Sequence, residues 1–358
     1  MRHIHWPWVM CLLVGAVVGL WACGSQAAAG PAGTGKPASA LLAGQIRGFS
    51  IQLNNKDATA QYLAAIDELA GMGCTSINFV IAARQENVKS EAMAIDWNNL
   101  PNQTEIERIL KHAKEKNIYT ILMPIVLLNT AEAKQWRGVI APPDWETWFY
   151  HYTKYITFSA RMAKKCKVDL LCVGSELLST EPMRSHWIEV IAEIKKIYKG
   201  KLTYSSNWDH YDKETTGGPA FWDQLDYIGM NNYNELAKKP GATTKELNNN
   251  WKPIKEKVLA FVAKQNKPFL FTEVGWHNLN NTIAEPWNYV ATGEIDLGEQ
   301  QRAYESFVET WGDVGTDKFM GALVWEWRPG ANGATEHGAY SLQDTPALEI
   351  VKKWMAGK

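Results

Sequence analysis

From Ile46 onward the chain alternates short apolar runs with longer amphipathic stretches. The runs are Ile46 to Leu53, Thr75 to Ala82, Ile118 to Leu127, Val168 to Glu176, Leu202 to Asn207, Leu225 to Asn232, Pro268 to Glu273 and Phe319 to Trp327, and they predict eight strands. Continuous apolar runs suit a parallel sheet covered on both faces. Between them Ala58 to Met72, Thr104 to Lys116, Trp145 to Lys165, Trp187 to Tyr198, Ile254 to Gln265 and Gln300 to Trp311 carry apolar residues at helical spacing. Asn102 or Thr104 can cap the second helix, and Thr104 with Glu107 has capping-box spacing. The fifth connection, around Gly217 to Gln224, holds only a short helix. Eight repeats of about 35 residues predict an α/β fold, a single (β/α)8 TIM barrel, since a doubly wound sheet rarely needs so many regular units. No second composition shift follows, so residues 45–358 form one domain.

The first 45 residues break that pattern. Arg2 and nearby His residues precede an apolar stretch from Val9 to Ala22, too short to span a bilayer of roughly 30 Å as a helix. Residues 1–23 therefore predict an export signal. Leu20-Trp-Ala-Cys23-Gly-Ser resembles a bacterial lipoprotein cleavage box, with Cys23 as the lipid attachment and Trp21 atypical within it. The alternative is an ordinary signal cut near Ala22 or a later Ala. Residues 24–44, rich in Ala, Gly, Pro and Ser, predict a flexible linker. The expectation is an exported protein, at the cell surface or in the periplasm if lipidated and otherwise secreted, touching a membrane only through that anchor.

A formal net charge of -1 leaves no electrostatic footprint for nucleic acid. Seventeen Trp gather around the predicted strand ends and following loops. Core filling accounts for most of them, and flat rings with a polar edge also suit sugar faces. Setting aside Cys11 and Cys23, the remaining Cys74, Cys166 and Cys172 are odd in number and lack CxxC spacing, which predicts buried free thiols; a Cys166 to Cys172 bridge would have to join a helix end to a strand. No zinc pattern or His pair at ligand spacing is present.

Two of the strands end on glutamates, Glu176 on the fourth and Glu273 on the seventh. On a barrel those strands face each other across the mouth, where loops take over from strands and substrates bind. Two carboxylates converging there are the minimum needed to cleave a glycosidic bond. Either glutamate alone reads more simply as a solvated strand end or a salt bridge.

The segments Trp136-Arg-Gly-Val-Ile140, Pro142 to Phe149, Val173-Gly-Ser-Glu-Leu177, Leu202 to Trp208, Phe221 to Gly229, Lys267 to Trp276 and Val324-Trp-Glu-Trp327 resemble, in order and at barrel spacing, clan A glycoside hydrolases and more closely the mannanase group of family 113. The resemblance implies Glu176 as acid/base and Glu273 as nucleophile, with Tyr233 donating to Glu273 and Trp325 beneath the sugar being cleaved. Asn207, Trp208, Asn232 and Trp276 are further candidates for substrate contact. Trp276 could instead cap the barrel, and Asn231 rather than Asn232 could hold a loop. Side chains alternate along a strand, which sends Trp325 and Trp327 one way and Glu326 the other. The chain departs from the pattern twice. Ser175 stands where the clan commonly has Asn binding the substrate 2-hydroxyl, and Ile121-Leu-Met-Pro-Ile125 replaces the Lys-Pro-His usual in the mannanase group.

The reading is a retaining β-glycoside hydrolase acting on a β-linked polysaccharide or oligosaccharide, foremost an endo-β-1,4-mannanase, with no metal or organic cofactor required. Hydrolysis of another β-linked glycan is the first alternative. A catalytically silent glycan-binding surface lipoprotein is the second, although a binder has no need of a protonatable pair.

Overall fold

The computed structural model describes residues 46–132, 135–315 and 317–357. The predicted export signal, Cys23 as predicted lipid attachment and the predicted linker lie outside the described residues. Each predicted strand forms: β1 (Ile46–Gln52), β2 (Ser76–Gln85), β4 (Tyr119–Leu128), β5 (Leu170–Ser175), β6 (Lys201–Ser206), β7 (Ile228–Asn232), β8 (Phe269–Val274) and β9 (Phe319–Val324). All pair in parallel with their neighbours, and β1 joins both β9 and β2, so the eight close into a barrel. A ninth strand, β3 (Met93–Ile95), lies antiparallel on β2 outside the closure. Its three residues are too few to show a period.

The helices are α1 (Thr59–Gly71), α2 (Gln103–Glu115), α3 (Trp145–Cys166), α4 (Arg184–Ile197), α5 (Lys213–Thr216), α6 (Thr244–Gln265), α7 (Leu297–Trp311) and α8 (Pro346–Met355). The second helix starts one residue before Thr104, because Asn102 is its cap and accepts from the Glu105 N–H. In α6 a Thr243/Glu246 capping box starts the helix ten residues before Ile254, and Pro253 lies inside it. The polar Lys245-to-Lys252 stretch and that proline hid its first half. Three helices stop at residues in the left-handed region, Asn117, Lys167 and Asn266.

The barrel interior is filled from the bottom by Ile46, Ile121, Leu170, Leu270, Met320 and Leu323. Above them Val80, Met123, Ile125 and Cys172 form a smaller layer that supports Trp325. The largest cluster lies between barrel and helices, and six Trp (148, 187, 251, 276, 311 and 327) are almost wholly buried. Rings of this size bury about 150–250 Å² each, on the order of 4–6 kcal/mol apiece at about 25 cal/mol per Å². Cys74, Cys166 and Cys172 are buried and free, and the conceivable Cys166 to Cys172 bridge does not form. Burial pushes the thiols of Cys74 and Cys172 up to about 12 and that of Cys166 up to about 11. Among the described residues no helix is long and apolar enough to cross a membrane, and no cluster of His, Cys, Asp or Glu could hold a metal ion.

Candidate active site

The C-terminal ends of the strands open onto a cleft of about 1140 Å³ whose lining includes Glu176 and Glu273. Both arrive there through local departures from regular strand. On β8 a register shift places both Thr272 and Glu273 after Phe271 where β7 advances by one residue. Phe271 packs toward the helices. Strict alternation would send Glu273 the same way, and the extra residue turns it into the mouth instead. On β5 a similar shift lies between Cys172 and Ser175. Glu176 follows directly with φ +53°, a left-handed backbone that side chains other than Gly, Asn and Asp seldom adopt. Its N–H donates to the Ser205 carbonyl at 2.9 Å, and the next N–H, of Leu177, donates to the Tyr204 hydroxyl at 2.8 Å.

The Glu176 carboxylate is held on both oxygens. Arg137 forms an ion pair with one, and the Asn231 side-chain amide donates to the other. That amide also donates to Asn207 Oδ1 at 3.1 Å, while its oxygen accepts the Trp208 N–H at 2.8 Å. One asparagine thus ties the carboxylate to the turn after β6.

Glu273 is 4% exposed and accepts from the Tyr233 hydroxyl at 2.9 Å. Burial first, and then the neighbouring Glu176 charge, push its carboxyl up to about 8, against the opposing pull of Arg137 and Tyr233. The guanidinium of Arg137 stands at Glu176, and the rise falls on Glu273. Such a pair can supply one proton donor and one oxygen nucleophile to the same bond.

Around the pair, Trp325 faces the cleft from its apolar seat of Met123, Ile125 and Cys172. Glu326 also lines the cleft and accepts from Gln52 at 2.7 Å. Trp327 turns away and packs edge-on to Phe49 at 5.2 Å. The strand ends at Val324, so its two-residue alternation does not govern these three residues, and the Trp325–Glu326 peptide is cis. Arg84, paired with Asp96 at 2.6 Å, adds a cation to the wall. At the rim Trp208 stacks on Trp287, ring centroids 5.8 Å apart, and Tyr289 is fully in solvent.

Of the candidates read from sequence, Glu176, Glu273, Asn207, Trp208, Tyr233 and Trp325 line one cleft. Three do not. Ser175 is still inside the strand ladder opposite Ser205, buried beneath the mouth with no partner for its hydroxyl. Asn232 is fully buried and accepts from Asn234, because Asn231, one step earlier on β7, is the residue turned to Glu176. Trp276 packs into the helical layer against Tyr304 and Trp251, where its apolar area is covered on all sides. Glu326, which alternation along the strand sends away from Trp325, lines the cleft as well. Sequence reasoning missed Arg137, Gln52 and Trp287: Arg137 lies within the Trp136-Arg-Gly segment, and Gln52 is a polar residue at a strand end, the one signal that points to it.

A family model described as Glycoside Hydrolase Family 113 matches residues 51–343. Among solved structures, the family 113 β-mannanase of Alicyclobacillus acidocaldarius in complex with ManMIm is 26% identical, the likeness covering 89% of this chain and 99% of that one with a TM-score of 0.76. Another family 113 β-1,4-mannanase is 24% identical over 88% of this chain and 99% of its own, with a TM-score of 0.76. The endo-1,4-β-D-mannanase of Thermotoga petrophila is 12% identical over 88% of this chain and 100% of its own, with a TM-score of 0.60. These last two likenesses are of fold alone. No curated protein sequence matches the chain.

Proposed function

This chain belongs to glycoside hydrolase family 113, and from that premise we propose that it is a retaining endo-β-1,4-mannanase with Glu273 as nucleophile and Glu176 as acid/base. The observation that carries the reading is the two carboxyl groups in one cleft, with Glu273 bonded by Tyr233 and raised by its burial first and then by the charge of Glu176. In the first step a Glu273 oxygen attacks the anomeric carbon, the glycosidic C–O bond breaks, and Glu176 gives its proton to the departing oxygen. In the second, Glu176 takes a proton from water, the water oxygen attacks the same carbon, and the ester bond to Glu273 breaks. The reaction therefore needs a proton on Glu176 and a charge on Glu273. Arg137 favours charge on Glu176, whereas the Tyr233 hydroxyl and the positive charge developing at the anomeric carbon favour it on Glu273.

Mannan is supported by the 26% identical relative of the same family, which is a β-mannanase. Endo action is supported by an open cleft whose rim carries the stacked Trp208 and Trp287, a surface suited to further sugar rings. Met123 and Ile125 are apolar, and polar groups lining the cleft include Gln52, Arg84 and Glu326. Mannan, glucomannan, cellulose, xylan and chitosan compared as substrates should show mannan turned over fastest, with the first product seen by NMR in the β configuration. An α product means inversion, and a preference for another glycan removes the mannan assignment.

The leader over residues 1–23 supports export, with Cys23 as the lipid attachment. Cells grown with radioactive palmitate should yield labelled protein, and a Cys23→Ala variant none. An unlabelled mature protein rules out the anchor.

A further inference from the structure

Behind the cleft lies a carboxylate that the chemistry above does not use. Glu181, five residues after Glu176, is fully buried at the end of a 3-10 turn, Leu178–Thr180. One of its oxygens accepts from the Tyr204 hydroxyl at 2.8 Å, and the other meets His210 Nδ1 at 2.7 Å. The Tyr204 oxygen, oriented in this way, accepts the Leu177 N–H at 2.8 Å, immediately after the left-handed Glu176. His210 closes the turn after β6: its N–H donates to the Asn207 carbonyl, and its carbonyl accepts from the Ser206 hydroxyl. Asn207, Trp208 and Asp209 of that turn line the cleft.

We infer that Glu181 is a positioning residue for the reaction, one carboxylate that locks the Glu176 turn through Tyr204 and the Asn207–Asp209 wall through His210. A buried carboxylate costs several kcal/mol unless it is paired, so this one persists only while both partners hold it. Removing either link frees one turn and leaves the other.

The charges facing the pair fix its working range. The charges acting on His210 are those of Glu181 and Asp209, and the uncharged Gly217 and Gly218 lie beside it. Glu181 is met by His210, Tyr204 and, farther off, Glu176. Arg184 of α4 is turned instead to Asp223 and the Ala220 carbonyl. The Glu181 hydrogen bond raises His210 above the ordinary imidazole value, and burial with the Glu176 charge raises Glu181 above the ordinary carboxylate value. The ion pair therefore stands above the Glu181 value and is lost as pH rises through the His210 value.

The inference rests on Glu176 as the acid/base, and its test separates the two. Tyr204→Phe removes the hydroxyl that joins Glu181 to the Leu177 N–H, leaves the His210 link in place, and should lower kcat about tenfold with KM within about twofold. His210→Gln frees the cleft wall and should raise KM about tenfold, removing the His210 component from the alkaline fall of kcat/KM. Glu181→Gln should show both effects. Independently of turnover, the His210 imidazole should titrate by NMR above its ordinary range in the parent and return toward it in Glu181→Gln. A His210 titrating at its ordinary value in the parent overturns the inference. So does parental kcat, KM and pH profile in Tyr204→Phe and His210→Gln, or a loss confined to thermal stability. If Glu181→Gln does not fold, the two single-link variants decide. Glu176→Gln assayed alongside isolates the other failure: full turnover there removes the acid/base assignment instead.

Discussion

Glu273→Gln is expected to lower kcat by roughly 10⁴-fold or more, because an amide cannot form the glycosyl ester on which the second step depends. The same variant should be more stable than the parent, by a margin that grows with pH. In the folded protein the Glu273 carboxyl is raised to about 8, whereas in the unfolded chain it ionises near the ordinary value of roughly 4.3. The sign follows from proton binding. Between those values the folded state holds a proton that the unfolded state has released, so this group's contribution to stability is full below the unfolded value and fades as pH rises through the folded one. Glutamine undergoes no such loss. Calorimetry should find the two proteins alike near pH 4 and furthest apart above about pH 8. Turnover that survives the substitution sinks the nucleophile assignment, and a stability gap that does not change with pH sinks the electrostatic one.

Glu176→Ala should behave in the opposite sense. Natural glycans have poor leaving groups and should be hydrolysed about 10²–10⁴-fold more slowly without a proton donor. A dinitrophenyl glycoside, whose leaving group needs no proton, should still form the glycosyl-enzyme quickly and then stall, giving a burst of phenolate followed by slow turnover. Stability should fall, by about 1–3 kcal/mol, since Arg137 and the Asn231 amide lose the acceptor they share. An equal slowing on both substrates, with no burst, would falsify the acid/base role. The two glutamates are thus distinguishable by stability alone: removing one relieves a strained charge, and removing the other strands a cation.

The barrel was legible because its staves are long apolar runs that nothing but a doubly covered parallel sheet explains. The pieces that escaped carry weak or conflicting local signals: three residues of β3, the polar start of α6 with its proline, and α8, which follows a glycine-rich loop. In the site, Glu176 and Glu273 could be placed by counting strands, because two carboxylates on facing strands of one barrel converge at its mouth, whereas Tyr233 and Trp325 were implied by the family resemblance. Asn231 and Asn232 could not be separated, since bulges reset the period of two on which such a choice depends. Trp276 was ambiguous for a different reason, because a tryptophan at a strand end is equally at home in a cleft or beneath a helix. The pairing of Arg137 with Glu176 joins residues 39 apart, which no local pattern encodes. The same holds for Glu181, His210 and Tyr204, whose meeting is a property of the folded barrel.

The seam of the barrel is made by β1 and β9, where Ile46 lies opposite Gly321 and Arg47 donates to the Trp354 carbonyl at 2.9 Å. Ile46 and Gly321 are separated by 275 residues and Arg47 and Trp354 by 307, which a ribosome making roughly 5–20 residues per second adds in tens of seconds. For that interval the first stave has only β2 beside it, and its other edge waits for a strand not yet synthesised. The barrel therefore cannot close until β9 has been made, and until then whatever binds the emerging chain has an open sheet edge to guard.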